Sequence, residues 1–312
     1  MAPPALTSLA NFVRRQPPLR WAAHKAIGLI PDVPRTVRVD SLGPVRIRLR
    51  RHRWFLWERF GEHDGLIFAA FERLVRPGDA VWDIGANIGV YTRVVRQWFR
   101  AGPVVAIEPM TENFTLLEEN VRLGDLKDVH CLRLALSDTE GSETLQVDDV
   151  TSGSAVLDSV SGGAPSAGRR SVGLPPRTEI VRIARLDDLL KGRSLPRPQV
   201  MKIDTEGAEV KVLAGAEHLL RHSDVRMAIA LHGADKAAGT IEVLARFGYV
   251  CYGFVRGAPQ PVWRRLSLAD APHLANNNVV AGSAREAAVL EPPPRTEGPW
   301  PRGSVATSTL SS

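Results

Sequence analysis

The chain has 312 residues, 44% of them hydrophobic, which is enough for one large domain with extensions. Lys and Arg number 40 against 34 Asp and Glu, so the net charge is +6, a mild excess that does not require a nucleic-acid partner. No apolar run reaches the about 18 residues of a membrane span, and no continuous apolar stretch accompanies the N-terminal arginines, so neither a membrane segment nor a secretory signal is expected.

Residues 1–34 are punctuated by Pro3, Pro4, Pro17, Pro18, Pro31 and Pro34, with a short amphipathic stretch from Trp21 to Ile30. Thr36–Val39 and Val45–Arg50 alternate at period two around Ser41-Leu42-Gly43-Pro44, which predicts a hairpin with one wet face. Its arginines (Arg46, Arg48, Arg50, Arg51 and Arg53) read as a solvated strand face, and Trp54, Phe55 and Trp57 as packing. Residues 1–57 are therefore set apart as an N-terminal extension with a basic hairpin. Leu66 to Leu74 has a helical apolar pattern, and Arg76-Pro77-Gly78-Asp79 turns it into the next element.

That element organises the rest. In Val81-Trp82-Asp83-Ile84-Gly85-Ala86-Asn87-Ile88-Gly89 an apolar run ends in an acid, breaks at a glycine, and meets a second glycine where a helical pattern begins. This is a buried strand, a tight turn and a helix N-terminus. Nineteen residues after Gly89, Val104-Val105-Ala106-Ile107 ends in Glu108, an acid at a second strand tip, where a ribose diol can be held. A dinucleotide fingerprint would need further glycines at 87 and 90, where Asn87 and Val90 stand, and the Gly-Lys-Ser/Thr ending of a P-loop is absent. Asp83 and Asn87 offer side chains where a pyrophosphate wants bare N–H groups, and an acid there attracts an ammonium. S-adenosylmethionine carries an ammonium, a ribose and no phosphate.

A helix opens at Thr111, and Val129 to Leu136 reads as a third strand ending in Ser137-Asp138, a polar pair that either meets an adenine amino group or caps the turn. Glu143–Val147 and Glu179–Ile183 read as strands. Between them, 151–177 is rich in Ser, Gly and Pro and is expected as a long flexible loop. Val200-Met201-Lys202-Ile203 is a compact strand ending in Asp204, followed by a helix from Ala208 to Leu220. Asp204, Glu206 and Glu209 thus gather three carboxylates at one strand tip. Crowded like charges raise at least one pKa, which suits a general base. Val225–Leu231 reads as a fifth strand, with His232 at its tip as a second candidate for acid–base work. No ligand spacing requires a metal. A helix from Thr240 to Phe247, an antiparallel pair (Tyr249–Phe254 and Val262–Leu266) and a short strand near Asn276–Ala281 complete a domain of residues 58–284. Residues 285–312, rich in Pro and Ser, are expected as a disordered tail. Cys131 and Cys251 lie in apolar runs and read as reduced core thiols of a cytoplasmic protein.

Asp83-Ile84-Gly85-Ala86-Asn87-Ile88-Gly89, Glu108-Pro109 and Lys202-Ile203-Asp204-Thr205-Glu206-Gly207-Ala208-Glu209 together resemble the FkbM-type family of S-adenosylmethionine-dependent methyltransferases, over about Glu58 to Ser283. The resemblance implies the class I methyltransferase fold, a doubly wound, mostly parallel seven-stranded α/β sheet, and an alcohol acceptor on a natural product, sugar or glycan. On this reading Asp83, Gly85, Asn87 and Gly89 hold the methionine end of the cofactor, Glu108 the ribose and Ser137 the adenine region. Asp204, Glu206, Glu209 or His232 removes the acceptor proton. Two other readings stand beside it: a nicotinamide-dependent oxidoreductase, disfavoured by the missing glycines, and a non-catalytic binding protein, disfavoured by the intact acid cluster.

Overall fold

The computed structural model describes residues 32–39, 42–52, 65–151, 153–192, 194–255, 262–274 and 277–291. The Trp21–Ile30 stretch, Arg53, the Trp54, Phe55 and Trp57 group, and the chain beyond 291 lie outside the described residues.

The predicted hairpin is present as β1 (Pro34–Val39) and β2 (Gly43–Arg48), with Val37 opposite Val45. Its inner residues Val45 and Ile47 join Phe68 and Phe71 of α1 (Gly65–Leu74) in one apolar cluster. Its arginines are not all solvated: Arg51 is buried against Glu112 and lies 2.9 Å from Asp32, and Arg46 pairs with Glu119 at 3.3 Å. These pairs dock the hairpin on the helix that carries Glu112 and Glu119, because a buried guanidinium persists only with partners.

The main sheet is built from β3 (Val81–Ile84), β4 (Val104–Ile107), β5 (Val129–Leu132), β10 (Val200–Ile203), β11 (Arg226–Leu231), β12 (Tyr249–Val255), β13 (Val262–Arg265) and β14 (Asn277–Ser283). The order is β13-β12-β14-β11-β10-β3-β4-β5, with β11, β10, β3, β4 and β5 parallel and β14 inserted antiparallel between β11 and β12. This is the doubly wound α/β sheet expected, with an eighth strand, β13, on its edge. Every residue of β3, β4 and β10 is buried, since helices cover both faces. Trp82, Ile84, Val105, Ile107 and Met201 join one cluster with Val212, Leu219 and Ile241, while Val81, Val104 and Val200 join the other with Phe68 and Val94. The period-two alternation of the strands thus feeds two cores. The chain winds outward from β3 in one direction and from β10 in the other, so their carboxyl ends frame a topological switch point, where open α/β sheets bind ligands.

The remaining helices are α2 (Val90–Gln97), α3 (Thr111–Leu123), α4 (Asp158–Ser161), α5 (Ala167–Ser171), α6 (Leu186–Gly192), α7 (Glu209–Ala214), α8 (Glu217–His222), α9 (Ala234–Arg246) and α10 (Ala287–Leu290). Asn120 of α3 pins the hairpin to the β3–α2 turn: its amide donates to the carbonyls of Arg46 (2.9 Å) and Ile88 (2.8 Å) and accepts from Arg46 N–H.

Four expectations are corrected. The third strand breaks after Leu132, and β6 (Ala135–Leu136) leaves to join β7 (Gly141–Gln146), β8 (Val156–Leu157) and β9 (Thr178–Ala184) in a second sheet of order β6-β9-β7-β8. The loop expected at 151–177 contains β8, α4 and α5. Asp148, buried at its start, accepts N–H groups from Val150 (2.9 Å), Thr151 (2.8 Å) and Gly168 (2.9 Å), and Arg169 pairs with Asp149. The helix expected over 208–220 is two, broken at Gly215, where an added Cβ would meet the Ser137 carbonyl oxygen at 2.1 Å. The first residues of the tail expected from 285, described to 291, are docked: Leu290 is fully buried and its carbonyl accepts a hydrogen bond from the Trp263 indole at 3.1 Å. Among the described residues no helix is long and apolar enough to cross a membrane.

Candidate active site

The β3–α2 turn and β10 meet closely: Asp204 N–H donates to the Ile84 carbonyl at 3.0 Å, and a Cβ on Gly85 would lie 1.8 Å from the Asp204 carbonyl oxygen. Gly85 has φ 76°, so both space and conformation demand glycine. A cavity opens over this turn, lined by Gly85, Asn87, Glu108, Met110, Leu134 and Leu136 among others. Glu108 is fixed in it by two backbone donors, Asn87 N–H to Oε2 at 2.9 Å and Met110 N–H to Oε1 at 3.0 Å. Each oxygen retains a lone pair for another hydroxyl. Burial pushes the Glu108 carboxyl up to about 7, against the pull of those two N–H groups.

Gly85, Asn87 and Glu108 line the cavity as the sequence predicts; Asp83, Gly89 and Ser137 do not. Asp83 is buried beneath the turn, accepting from the Thr92 hydroxyl at 2.7 Å. Gly89 has φ 81° and lies where a Cβ would sit 2.5 Å from Leu117 Cδ1, so its glycine lets α2 pass close to α3. Ser137 is buried with its N–H on the Ala184 carbonyl and its hydroxyl on Asp138, because the break in the third strand carries it into the second sheet. Leu134, Leu136, Leu145 and Leu157 form the apolar wall instead. The sequence reading missed them, since only the second sheet brings them to the mouth.

The acid cluster assembles around His232. Glu209 is fully buried and folds back over its own turn, accepting N–H groups from Gly207 (3.0 Å) and Thr205 (3.3 Å). The same carboxylate oxygen holds His232 Nδ1 at 3.0 Å. Nε2 then faces Asp204 Oδ1 at 3.6 Å and Glu206 Oε1 at 3.7 Å. Burial lowers the affinity of His232 for its proton, but the Glu209 hydrogen bond and the Glu206 and Asp204 charges outweigh it and hold the imidazolium up to about 9. Burial, reinforced by Asp204 and Glu209 and opposed by His232, pushes Glu206 up to about 8. Asp204, Glu206 and His232 each present a donor atom, all within 4.8 Å of one another, a spacing a single divalent cation can bridge. Glu209 faces neither solvent nor cavity, and its contact with the site is the hydrogen bond that orients the His232 ring.

A second cavity adjoins the first and is lined by His232, Asn278, Leu231 and Ile67. Tyr91, Lys202, Asp204 and Glu206 line both. Asn278 and Tyr91 carried no signal in the sequence reading, since one sits on the last strand and the other inside a helical pattern.

Residues 83–251, more than half of the chain, match the model of the methyltransferase FkbM domain. The chain belongs to the FkbM methyltransferase family. Among curated relatives, the hexuronic acid methyltransferase AglP of Haloferax volcanii is 25% identical over 177 residues, 54% of this chain and 62% of that one. The 31-O-demethyl-FK506 methyltransferase FkbM of Streptomyces tacrolimicus is 28% identical over 200 residues, 55% of this chain and 72% of that one. The match to the archaeal relative spans about three-fifths of its length. A solved FkbM structure from Methylobacillus flagellatus KT aligns at 14% identity and TM-score 0.38, covering 73% of this chain and 52% of that one.

The cofactor of FkbM methyltransferases is S-adenosylmethionine, and the residues present fit it. The backbone of the Gly85–Asn87 turn lines the cavity, Glu108 offers two oxygens to a ribose, and the leucines offer an apolar wall to a base. Of the Asp, Glu, Lys and Arg side chains lining the cavity, four are acidic (Glu108, Asp148, Asp204 and Glu206) and one, Lys202, is basic. That balance suits a cationic sulfonium and disfavours the pyrophosphate of a nicotinamide dinucleotide.

Proposed function

We infer that the protein methylates a hydroxyl of a natural product, sugar or glycan, with the cofactor in the first cavity and the acceptor in the second. When bound, S-adenosylmethionine supplies an already activated methyl group, so the chain must align an acceptor oxygen and take its proton. Glu108 binds the ribose, and the Gly85–Asn87 turn the methionine end. Asp204 takes the proton, and Glu206 and His232 set the charge around it. The observation that carries this reading is that the Asp204 and Glu206 side chains line both cavities, so they stand where the two ligands meet. The polar lining of the second cavity, with Asn278 and His232, favours a hydroxyl-bearing acceptor. A relative named for a hexuronic acid and another named for 31-O-demethyl-FK506 agree with an oxygen acceptor. Free Cys131 and buried, free Cys251 accord with a reducing cytoplasmic setting.

The test is methyl transfer from labelled S-adenosylmethionine across a panel of sugar, glycan and macrolide alcohols. It is repeated with Asp204→Asn, which keeps the side-chain shape and lowers its basicity. Turnover falls by about 100-fold or more while cofactor affinity stays within about threefold. Full activity in the variant removes Asp204 from the mechanism.

A further inference from the structure

Lys202 stands in the middle of β10, in register with Asp83 of β3, and is 3% exposed. An ammonium has three N–H donors and no acceptor. Three oxygens meet this one: the Gly85 carbonyl at 3.0 Å, Asp83 Oδ1 at 3.3 Å and Asp204 Oδ2 at 3.4 Å. The Tyr91 ring lies 4.8 Å from Nζ, centroid to nitrogen. Burial disfavours the charged ammonium, yet Asp83 and Asp204 more than compensate and raise its pKa. The fold does not need such an arrangement, since a buried ion cluster can often be replaced by apolar groups without loss of stability. The neighbours in β10 are Val200, Met201 and Ile203, and an apolar residue at 202 would continue them.

The three oxygens belong to three separate parts of the site. Gly85 forms the cofactor turn, Asp83 the strand tip beneath it, and Asp204 the wall shared by the two cavities. The Asp204 side chain is about one-third exposed. Without a fixed partner on Oδ2 it can rotate away from His232, which faces Oδ1 at 3.6 Å. We propose that Lys202 is a positioning residue that fixes the Asp204 carboxylate between the cavities by tying it to the Gly85 turn and to Asp83. The seat of the cofactor and the group that takes the acceptor proton are thereby set by one ammonium. The kinetic part of this proposal rests on the methyl-transfer reading above; the binding part does not.

The test compares wild type with Lys202→Met, Lys202→Arg and the double variant Asp83→Asn/Lys202→Met, which removes an acid together with the ammonium in case the single variant fails to fold. Thermal melts report folding, calorimetry reports S-adenosylhomocysteine affinity, and steady-state kinetics on the productive acceptor report kcat and KM. In folded Lys202→Met or the double variant, S-adenosylhomocysteine affinity falls about three- to tenfold, as the Gly85 carbonyl loses its donor. The kcat falls about 100-fold with acceptor KM within about threefold, the mark of a misplaced reacting group. Lys202→Arg recovers affinity and only part of kcat, because a planar fork cannot aim at three oxygens around one point. A merely structural lysine lowers the melting temperature without splitting kcat from KM. Wild-type affinity in a folded Lys202→Met overturns the proposal, and so does wild-type kcat. Wild-type protein that neither binds S-adenosylhomocysteine nor transfers methyl overturns the methyl-transfer reading instead.

Discussion

If Glu108 holds the ribose, cofactor affinity is expected to depend on pH through its carboxyl. Its carboxyl is held up to about 7 by burial, while Asn87 and Met110 N–H groups occupy one lone pair on each oxygen. Ribose hydroxyls donating to the remaining lone pairs favour the ionised form, so the pKa falls on binding. The sign follows: affinity is full above pH 7 and is lost as pH falls below it. With a free-state value near 7, apparent affinity drops about tenfold between pH 8 and pH 6, or about 1.4 kcal/mol. The assay is calorimetric titration with S-adenosylhomocysteine at pH 6, 7 and 8 in two buffers of different ionisation heat, which counts the proton released. The ligand carries a titratable amino group of its own, so Glu108→Gln is the control. That variant cannot accept from both backbone N–H groups, leaves one of them facing an NH₂, and binds about 1–3 kcal/mol more weakly. It also lacks the part of the pH slope due to Glu108. Equal wild-type affinities at pH 6 and pH 8, or the same slope in Glu108→Gln, refute the assignment of the ribose to this carboxylate.

Two further outcomes are expected. Gly85→Ala places a Cβ 1.8 Å from the Asp204 carbonyl oxygen in a residue at φ 76°, and it costs about 3 kcal/mol or more with loss of S-adenosylhomocysteine binding. A thermal melt within 2 °C of wild type contradicts it. Leu290→Ala empties a fully buried position at the end of the docked segment and costs about 2–3 kcal/mol, a fall of about 5 °C or more in melting temperature. An unchanged melt means that α10 does not hold the fold.

What was legible in the sequence is what local chemistry dictates. Val81–Ile84, Val104–Ile107 and Val200–Ile203 are short apolar runs ending in an acid or a glycine, a pattern that only strand tips at the edge of an open sheet explain. The turn at Gly85, the acid at Glu108 and the group of Asp204, Glu206 and His232 follow from that edge. What was hidden depends on long-range closeness. Gly89 and Gly85 look alike in sequence, yet one glycine answers to Leu117 and the other to the Asp204 backbone. The Ser- and Gly-rich run at 151–177 looked structureless because its partners, Asp148 and Asp149, lie before it in the chain and act through backbone N–H groups and arginines. Alternation along β10 does not by itself say which way Lys202 points. Its direction was decided by three oxygens contributed by β3, the turn and its own strand tip.

The wall shared by the two cavities has a thermodynamic consequence. Tyr91, Lys202, Asp204 and Glu206 face both spaces, so a molecule entering either one changes the charge and freedom of groups that the other must meet. Linkage then requires reciprocity: whatever factor the first guest imposes on the affinity of the second, the second imposes on the first. A guest that carries a positive charge and one that has lost it exert different factors through Asp204 and Glu206. Wherever that factor differs from one, a dissociation constant measured for one half of the crevice has meaning only when the occupancy of the other is stated.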